Sequence, residues 1–347
     1  MRVYELDPLS DERWSTFIDS HPRSSVFHRR EWLEALRTTY NYKPTAFTTI
    51  GPDTTLANAI LFCQVDSWLT GSKRISLPFS DHCEPLADPP LVKSILDDVC
   101  SGSSRQLKFT EIRPRSGELR PPSNWAEDDH FWLHTLDLSP DVQALHASLH
   151  KDSIQRKIRR ADREGVALEN GRSDVLLRHF YDLMLMTRRR HGVPPQPFSW
   201  FRNLVECFGN RLSIHVAYID KRPIASIVTL RHRKTLVYKY GCSDEHFHNL
   251  GGMPRLFWQA IVDAKAEGLL EFDLGRSDLE KEGLIRFKDH LGAAKTRITY
   301  WQWGKDPARS GAGLRSFLKT PLVQRMLSRL PEPLFRLAGE VLYRHAA

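Results

Sequence analysis

The chain lacks the features that mark membrane-spanning, secreted and disulfide-stabilised proteins. Among its 347 residues, no apolar run approaches the roughly 20 residues that a spanning helix requires. The first residues, MRVYELDPLSDERW, contain no positive region followed by an apolar stretch, so we expect a cytoplasmic protein without a signal peptide. The five cysteines lie far apart and form no CxxC pair, which argues against both a disulfide framework and a zinc site.

The composition is that of a globular protein with an excess of positive charge. Hydrophobic residues make up 41% of the chain, enough for a large core, and its length favours two domains. Lys and Arg number 50 against 42 Asp and Glu, which gives a formal net charge of +8. This excess favours an anionic partner, and charge alone does not distinguish a nucleotide, an RNA or a lipid headgroup.

Hydrophobic periodicity predicts the same order of elements twice. The first half reads as β-α-α-β-β-β-α-β-β, and the order returns from residue 166 after a basic helical stretch. Two consecutive units of this kind fit an α/β or α+β pair of mixed sheets with flanking helices. The predicted division is a first domain over 1–139, a connecting helix over 140–165, a second domain over 166–304 and an amphipathic helical tail over 305–347.

Three local motifs in the second half carry a resemblance to a known family. NLGGMP (249–254) precedes a helix, EFDLGRS (271–277) ends a strand, and GLIRFK (283–288) opens a short helix. With the element order, they resemble the GNAT acyltransferase fold, and two such domains in tandem resemble the Fem-type aminoacyltransferases and the BioF-like or CelD-like acetyltransferases. The resemblance covers roughly residues 1–303. It implies two tandem GNAT-like domains, each a mixed, mostly antiparallel sheet flanked by helices, with the first on the acceptor side.

The turn after strand 235–242 is the candidate donor site. Glycines at 251 and 252 would let backbone amides approach a phosphate at the start of a helix. In GNAT enzymes the corresponding turn holds the pyrophosphate of acyl-CoA. The alternative is a tight turn in which the two glycines only shape the backbone. The predicted donor-binding residues are Tyr240, Asn249, Gly251, Gly252 and Met253.

Asp273 and Arg276 are candidate catalytic residues at the end of a strand. The carboxylate could accept or orient the amine proton, and the guanidinium could bind a carboxylate or phosphate with two hydrogen bonds. Alternatively, Asp273 caps the turn and Arg276 is its ion-pair partner.

Lys288 is the third candidate catalytic residue, and this choice rests on the resemblance. In the Fem-type family the lysine of the FK pair lies in the substrate cavity, which implies that Lys288 stabilises negative charge on the acyl oxygen. Arg286 is a candidate substrate-binding residue. The alternative is that both are solvated charges on a helix.

Further polar residues are candidates for substrate binding. Asp81, His82 and Glu84 form a cluster at the first-half position of the donor loop, which here lacks glycines, so we expect them to face the acceptor. Neighbouring residues of an extended segment point to opposite faces, so we expect no metal there. His191, at a predicted helix end, is either a base or a structural residue.

Two charged segments have open alternatives. The basic run over 151–163 either follows an RNA or polyphosphate backbone or is a solvated helix between domains. The tail packs on the second domain or contacts a membrane surface.

These observations predict an N-acyltransferase or aminoacyltransferase. Its donor would be acyl-CoA or an aminoacyl-tRNA, bound as a co-substrate rather than as a tightly held cofactor, and its acceptor an amine of a cell-envelope, peptidoglycan or polysaccharide precursor, small or lipid-linked. The chain shows no long pair of charged helices of the kind that tRNA-using Fem-type enzymes often carry, which favours a thioester donor. The alternative is a non-catalytic protein that binds RNA or an anionic polymer on a GNAT-like scaffold.

Overall fold

The computed structural model describes residues 2–101, 107–117, 119–304 and 320–345. The chain divides into two compact units, each assembled from separate segments. Unit 1 comprises Met1–His130, Ile298–Val323 and Leu337–Ala347, and unit 2 comprises Phe131–Arg297 and Gln324–Arg336.

Unit 1 contains a mixed sheet in the order β1-β2-β3-β4-β5-β12. Neighbouring strands are antiparallel except for β4 and β5, which are parallel. Its elements are β1 (Tyr4–Leu6), α1 (Arg13–Ser20), α2 (Arg30–Tyr40), β2 (Lys43–Thr48), β3 (Ile60–Ser67), β4 (Gly71–Ile75), α3 (Pro89–Ser101), β5 (Phe109–Ile112) and, from Ile298 onward, β12 (Ala294–Gly304).

Unit 2 repeats this arrangement in the order β7-β8-β9-β10-β11-β6. Here β10 and β11 are the parallel neighbours. Its elements are β6 (Ala126–Asp137, from Phe131), α4 (Val142–Ser148), a π-helical turn (Lys151–Gln155), α5 (Arg156–Arg163), β7 (Ala167–Gly171), α6 (Asp174–Arg190), α7 (Phe198–Phe208), β8 (Leu212–Ile219), β9 (Arg222–His232), β10 (Thr235–Ser243), α8 (Gly252–Ala266), β11 (Glu271–Asp278) and α9 (Glu282–His290).

The last strand of each sheet comes from an unexpected part of the chain. Strand β6 follows β5 in sequence but pairs with β11, and β12 follows α9 but pairs with β5. The sequence pattern assigns these two strands to the opposite halves. Alternation of apolar residues identifies a strand without identifying its partner, so this exchange is decided by tertiary contacts.

The basic helix α5 is a packed part of unit 2. Ile154, Ile158 and Ala161 recur at helical spacing and are buried in one cluster with Phe257 of α8 and Phe272 of β11. The arginines and lysines of the same helix lie mainly on its exposed side. The expectation of a solvated helix between domains therefore needs correction, because one face of α5 belongs to the core.

The described part of the tail forms two helices, α10 (Pro321–Ser328) and α11 (Glu332–His345). Residues 305–319 of the predicted tail lie outside the described residues. Within the described ranges, no helix combines the length and apolar character needed to cross a bilayer.

Candidate active site

Strands β10 and β11 separate soon after they begin to pair. Their parallel register ends at Val237 and Asp273. Strand β10 continues to Ser243 with an irregularity between Tyr238 and Tyr240, and β11 continues to Asp278 with one between Asp273 and Arg276. We call the residues beyond the last pair, Tyr238–Ser243 and Leu274–Asp278, the β10–β11 opening. Irregularities of this kind re-aim side chains next to the strand.

The start of α8 follows β10 after a short 3-10 helix. Gly251 adopts a left-handed conformation with φ 79°, and the first helical bond that it accepts comes from the Arg255 amide at 3.1 Å. The amides of Gly252 and Met253 lie in the first turn, where backbone N–H groups have no acceptor within the helix. Asn249 is exposed and Met253 is half-buried.

Both glycines also have a packing reason. A Cβ at Gly251 would lie 2.2 Å from the Lys157 carbonyl oxygen, and one at Gly252 would lie 3.1 Å from Ile224 Cδ1. Close approach of α5 and the sheet is thus sufficient to explain these residues, and the binding of a phosphate by their amides stays a prediction.

Asp273 and Lys288 bind consecutive peptide groups of the β11 irregularity, on either side of Gly275. Asp273 Oδ1 accepts a 2.8 Å hydrogen bond from the Gly275 amide, and Lys288 Nζ donates to the carbonyl oxygens of Gly275 at 2.9 Å and Arg276 at 3.0 Å. Both side chains are only 2% exposed. Gly275 has φ 70°, which favours glycine.

The burial of Lys288 corrects one expectation. Lys288 is not a solvated helix charge, because its ammonium is buried against two backbone carbonyls. The expected turn-capping alternative for Asp273 fits its bond to Gly275. Its part in proton transfer stays a prediction.

Arg276 and Arg286 have different surroundings. The Arg276 guanidinium carbon lies 3.9 Å from the centre of the Phe131 ring on β6, a cation–π contact. Arg286 is exposed on α9. Neither position tests the predicted binding of substrate.

The histidine opposite the β11 irregularity went unnoticed in the sequence. His134 on β6 is fully buried, and its Nε2 lies 3.4 Å from Asp289 Oδ1. Burial, and then the charge of Lys288, lowers the pKa of His134 to about 4. A neutral imidazole therefore lies beside the buried ammonium at neutral pH. The register with β11 identifies this residue, and no local motif marks it.

Tyr240 packs away from the predicted donor turn. Its hydroxyl accepts a 2.8 Å hydrogen bond from Trp200 Nε1, and its ring contacts Phe201 at 5.1 Å. The side chain is 8% exposed. This geometry supports a core role and offers no support for contact with a donor.

The three first-half candidates lie in unit 1. Glu84 Oε2 accepts hydrogen bonds from the amides of Arg115 at 2.6 Å and Ser116 at 3.0 Å, so it stabilises a turn. His82 is 1% exposed and packs edge-on against Phe27. The backbone carbonyl of Asp81 accepts a bond from the Tyr300 hydroxyl at 2.7 Å. These contacts are structural, and binding of an acceptor stays a prediction.

His191 lies on the surface at the C-terminal end of α6, directly before Gly192. Partial desolvation, followed by the charges of Arg190 and Lys281, holds its pKa below the usual value. Among the described residues, no cluster of His, Cys, Asp and Glu could hold a metal ion. The five cysteines are all free thiols, and four of them are buried.

Comparison with known structures defines the class of fold. Residues 148–289, from the end of α4 through most of α9, match a family model described as an acetyltransferase (GNAT) domain. The crystal structure of FemX aligns with 92% of this chain and 100% of its own at a TM-score of 0.66 and 13% identity. A tandem GNAT protein from the clavulanic acid biosynthesis pathway aligns with 87% of this chain and 97% of its own at a TM-score of 0.50 and 11% identity. The predicted fold of two tandem GNAT-like domains is confirmed.

A sequence relative narrows the resemblance. The UDP-N-acetylmuramoylpentapeptide-lysine N(6)-alanyltransferase of Weissella viridescens is 26% identical over 111 residues, which are 31% of this chain and 33% of that protein. The match therefore spans about one third of the relative's length. Together with the GNAT match, it confirms the predicted resemblance to GNAT acyltransferases of the Fem type.

Proposed function

We propose that this protein is an N-acyltransferase that moves an acyl or aminoacyl group from an activated donor to an amine. The β10–β11 opening carries the proposal. It lies inside the segment that matches the GNAT model, it follows a parallel strand pair, and buried ionisable groups converge on its β11 side. Sites in α/β sheets commonly lie at the carboxyl ends of parallel strands.

In this proposal unit 2 binds the donor. The amides of Gly252 and Met253 hold its phosphate at the N-terminus of α8, with Asn249 at the solvent side. The reacting carbonyl lies at the β10–β11 opening. There the Lys288 ammonium, fixed on the carbonyls of Gly275 and Arg276, contributes positive potential where negative charge develops on the acyl oxygen.

The acceptor amine attacks the carbonyl carbon directly. The C–N bond forms, and the bond from that carbon to the donor's sulfur or oxygen breaks with its electron pair on the departing atom. The nitrogen loses a proton and the departing atom takes one up, so the products are the amide and a thiol or alcohol, and no acyl-enzyme is needed. The buried thiols fit this route, since burial raises the pKa of the Cys100 thiol to about 12 and so opposes its ionisation. Asp273 supports the transfer as a positioning residue, because its carboxylate fixes the Gly275 peptide.

The donor is acyl-CoA or an aminoacyl-tRNA, and we favour the thioester because α5 and α6, with 8 and 17 residues, do not form a long charged arm. For the acceptor, the name of the Weissella relative points to a lysine amine of a peptidoglycan precursor. We therefore propose an amine of a cell-envelope precursor.

The experiment is a matched binding and turnover panel. Wild-type protein is tested with acetyl-CoA, longer acyl-CoAs and alanyl-tRNA, first by thermal shift and then with UDP-N-acetylmuramoyl pentapeptide and simple diamines. A donor at 100 times its Kd should stabilise the fold by about 2.7 kcal/mol. Mass spectrometry should detect a new amide on the acceptor. Formation of no amide with any donor would contradict the proposal.

A lipid-linked acceptor would bring the protein to a membrane surface, and we propose that the tail makes this contact peripherally. Helix α10 exposes Leu322 and Met326 on the same side as Arg325 and Arg329, a basic amphipathic face. Sedimentation with phosphatidylglycerol vesicles, and not with phosphatidylcholine vesicles, is the expected result. A protein that sediments with neither kind of vesicle would contradict this proposal.

The alternative of an RNA-binding protein receives less support from α5. Arg156 lies 3.7 Å from Asp152, Arg160 lies 3.5 Å from Glu164, and Asp162 pairs with Arg255 at 2.7 Å. These acids offset the positive charge that would attract a phosphate backbone.

A further inference from the structure

The turn between β3 and β4 exposes two neighbouring apolar side chains. Ser67 pairs with Gly71, and the three residues between them form the turn. Trp68 is 84% exposed and Leu69 is 47% exposed. Tryptophan side chains are highly buried on average, so this indole lies where it contributes little to the core of unit 1.

Hydrogen bonds within the turn hold these side chains outward. Ser67 Oγ accepts the amide of Leu69 at 3.2 Å and the amide of Thr70 at 2.8 Å, and Gly71 completes the turn with φ 82°. The turn therefore has a defined backbone, and the exposure of the Trp68 indole is part of the folded structure.

The last turn of α11 lies against the same turn. His345 Nδ1 lies 3.0 Å from Ser67 Oγ, and the His345 carbonyl accepts a 2.9 Å hydrogen bond from Thr70 Oγ1. The Trp68 and His345 rings meet edge to face, with their centroids 5.4 Å apart. Val341, one helical turn before His345 on the same side of α11, is 46% exposed. The β3–β4 turn and the end of α11 therefore form one partly apolar edge of unit 1.

Cations border this edge. Lys108 is exposed, and its Cδ would lie 3.1 Å from a Cβ at Gly71, so its side chain extends over the turn. Arg344 is exposed in the last turn of α11. The carboxylate of Asp66, before the turn, accepts a 3.0 Å hydrogen bond from Gln64 Nε2. Exposed indole and aliphatic groups bordered by Lys and Arg are typical of surfaces that lie in the headgroup region of a bilayer.

We define the hairpin edge as Trp68, Leu69, Lys108, Val341 and Arg344, and we propose that it binds an anionic bilayer surface with the indole in the headgroup region. The inference rests on the membrane contact within the proposed function and extends it to residues outside α10. The exposed tip of a turn fits a bilayer better than a protein, because a stable protein interface buries about 800 Å² on each partner against a complementary surface. Lipid headgroups instead close around an inserted side chain.

Partition onto vesicles tests the hairpin edge in the full chain. Trp68→Ala removes the indole, Lys108→Gln removes one charge, and Val175→Ala is the control, because Val175 is 58% exposed on α6 of unit 2. Each protein is mixed with vesicles of phosphatidylglycerol and phosphatidylcholine, or of phosphatidylcholine alone, and the bound fraction is measured by sedimentation.

We expect Trp68→Ala to lower the partition coefficient on the mixed vesicles about tenfold, since burial of one large apolar side chain contributes about that factor. Lys108→Gln should lower it about fivefold at low salt and less at high salt. Val175→Ala should leave it unchanged. Because the indole is exposed, Trp68→Ala should keep the wild-type melting temperature and the wild-type turnover of a soluble acceptor.

A Trp68→Ala variant that partitions like the wild type would overturn the role of the hairpin edge and leave the contact of α10 in place. A dimer that forms without lipid and depends on Trp68 would also overturn it, because the edge would then bind a second copy of the chain. A wild type that binds neither kind of vesicle would contradict both membrane contacts. Amide formation is measured separately, so a failure of acyl transfer would leave the hairpin edge standing.

Discussion

The two units have the same sheet order but differ in what lies beyond the end of their parallel strand pair, β4–β5 in unit 1 and β10–β11 in unit 2. In unit 1 the β4–β5 register ends at Ile75 and Glu111, and the chain then returns to close the gap. The Cys83 amide donates to the Arg113 carbonyl at 2.6 Å, and Arg113 Nη1 donates to the Leu77 carbonyl at 2.7 Å. Among the residues of unit 2 that the structure describes, no such return segment pairs with β11, and ionisable side chains lie at the β10–β11 opening instead.

This difference indicates that the strand order produces the gap in both units, whereas the side chains around it determine whether it is filled for stability or left for a site. Arg113 is fully buried and forms a 2.6 Å ion pair with Glu111, so its charge serves the interior of unit 1. Lys288 is equally buried, but it binds the backbone carbonyls of Gly275 and Arg276 at the β11 irregularity. We therefore expect the two buried cations to differ in their effect on activity more than in their effect on folding.

The largest expected effect is that of Lys288→Met. The change leaves two backbone carbonyls without their charged donor, and removing one partner from a buried charged cluster costs about 4 kcal/mol. The free energy of unfolding, measured by urea titration, should fall by that amount, and turnover should fall with it at temperatures where the variant is folded.

The matched control is Lys295→Met, which removes a half-exposed ion pair with Asp289 and should cost less than about 1 kcal/mol. A Lys288→Met variant as stable as this control would show that the buried ammonium does not stabilise the β11 irregularity.

A smaller and more selective effect is expected for Arg113→Met. The substitution leaves Glu111 buried without its guanidinium, so the free energy of unfolding should fall by about 3 kcal/mol. Donor affinity, measured by calorimetry on the folded variant, should not change, because we propose that the donor binds to unit 2. An Arg113→Met variant that loses donor affinity without losing stability would show that Arg113 serves binding and does not stabilise unit 1.

A pH effect of up to about 3 kcal/mol is expected from His134. Its pKa is lowered to about 4 in the folded protein, against about 6.5 in an unfolded chain. The unfolded state therefore binds a proton first as pH falls, so this stabilisation is complete above pH 6.5 and is lost as pH approaches 4. His134→Gln should flatten the stability profile in that window, measured against wild type. If His134→Gln has the same dependence of stability on pH as the wild type, His134 does not cause the loss of stability in this window.

The smallest effect is expected for Arg286→Ala. This exposed residue of α9 should change the free energy of unfolding by less than about 0.5 kcal/mol. If it binds an anionic substrate, KM should rise several-fold while kcat holds. A fall in kcat alone would instead connect Arg286 to the chemical step.

Much of the fold followed from local patterns. The sequence pattern predicts helices over 89–101, 198–208 and 282–290, and α3, α7 and α9 begin and end at these residues. The agreement arises because apolar spacing, prolines and glycines act within a few positions of the chain. The GNAT resemblance also rested on short motifs, and each of these lies in or beside the β10–β11 opening or the start of α8.

Pairing partners and burial depended on contacts between residues distant in sequence. The exchange of β6 and β12, the interior position of Lys288 and the place of His134 opposite the β11 irregularity arise from strand register. The sequence alone determined which segments form helices and strands and which motifs they carry. Only the tertiary structure decided which charges became buried, since desolvation depends on every neighbour that packs around a group.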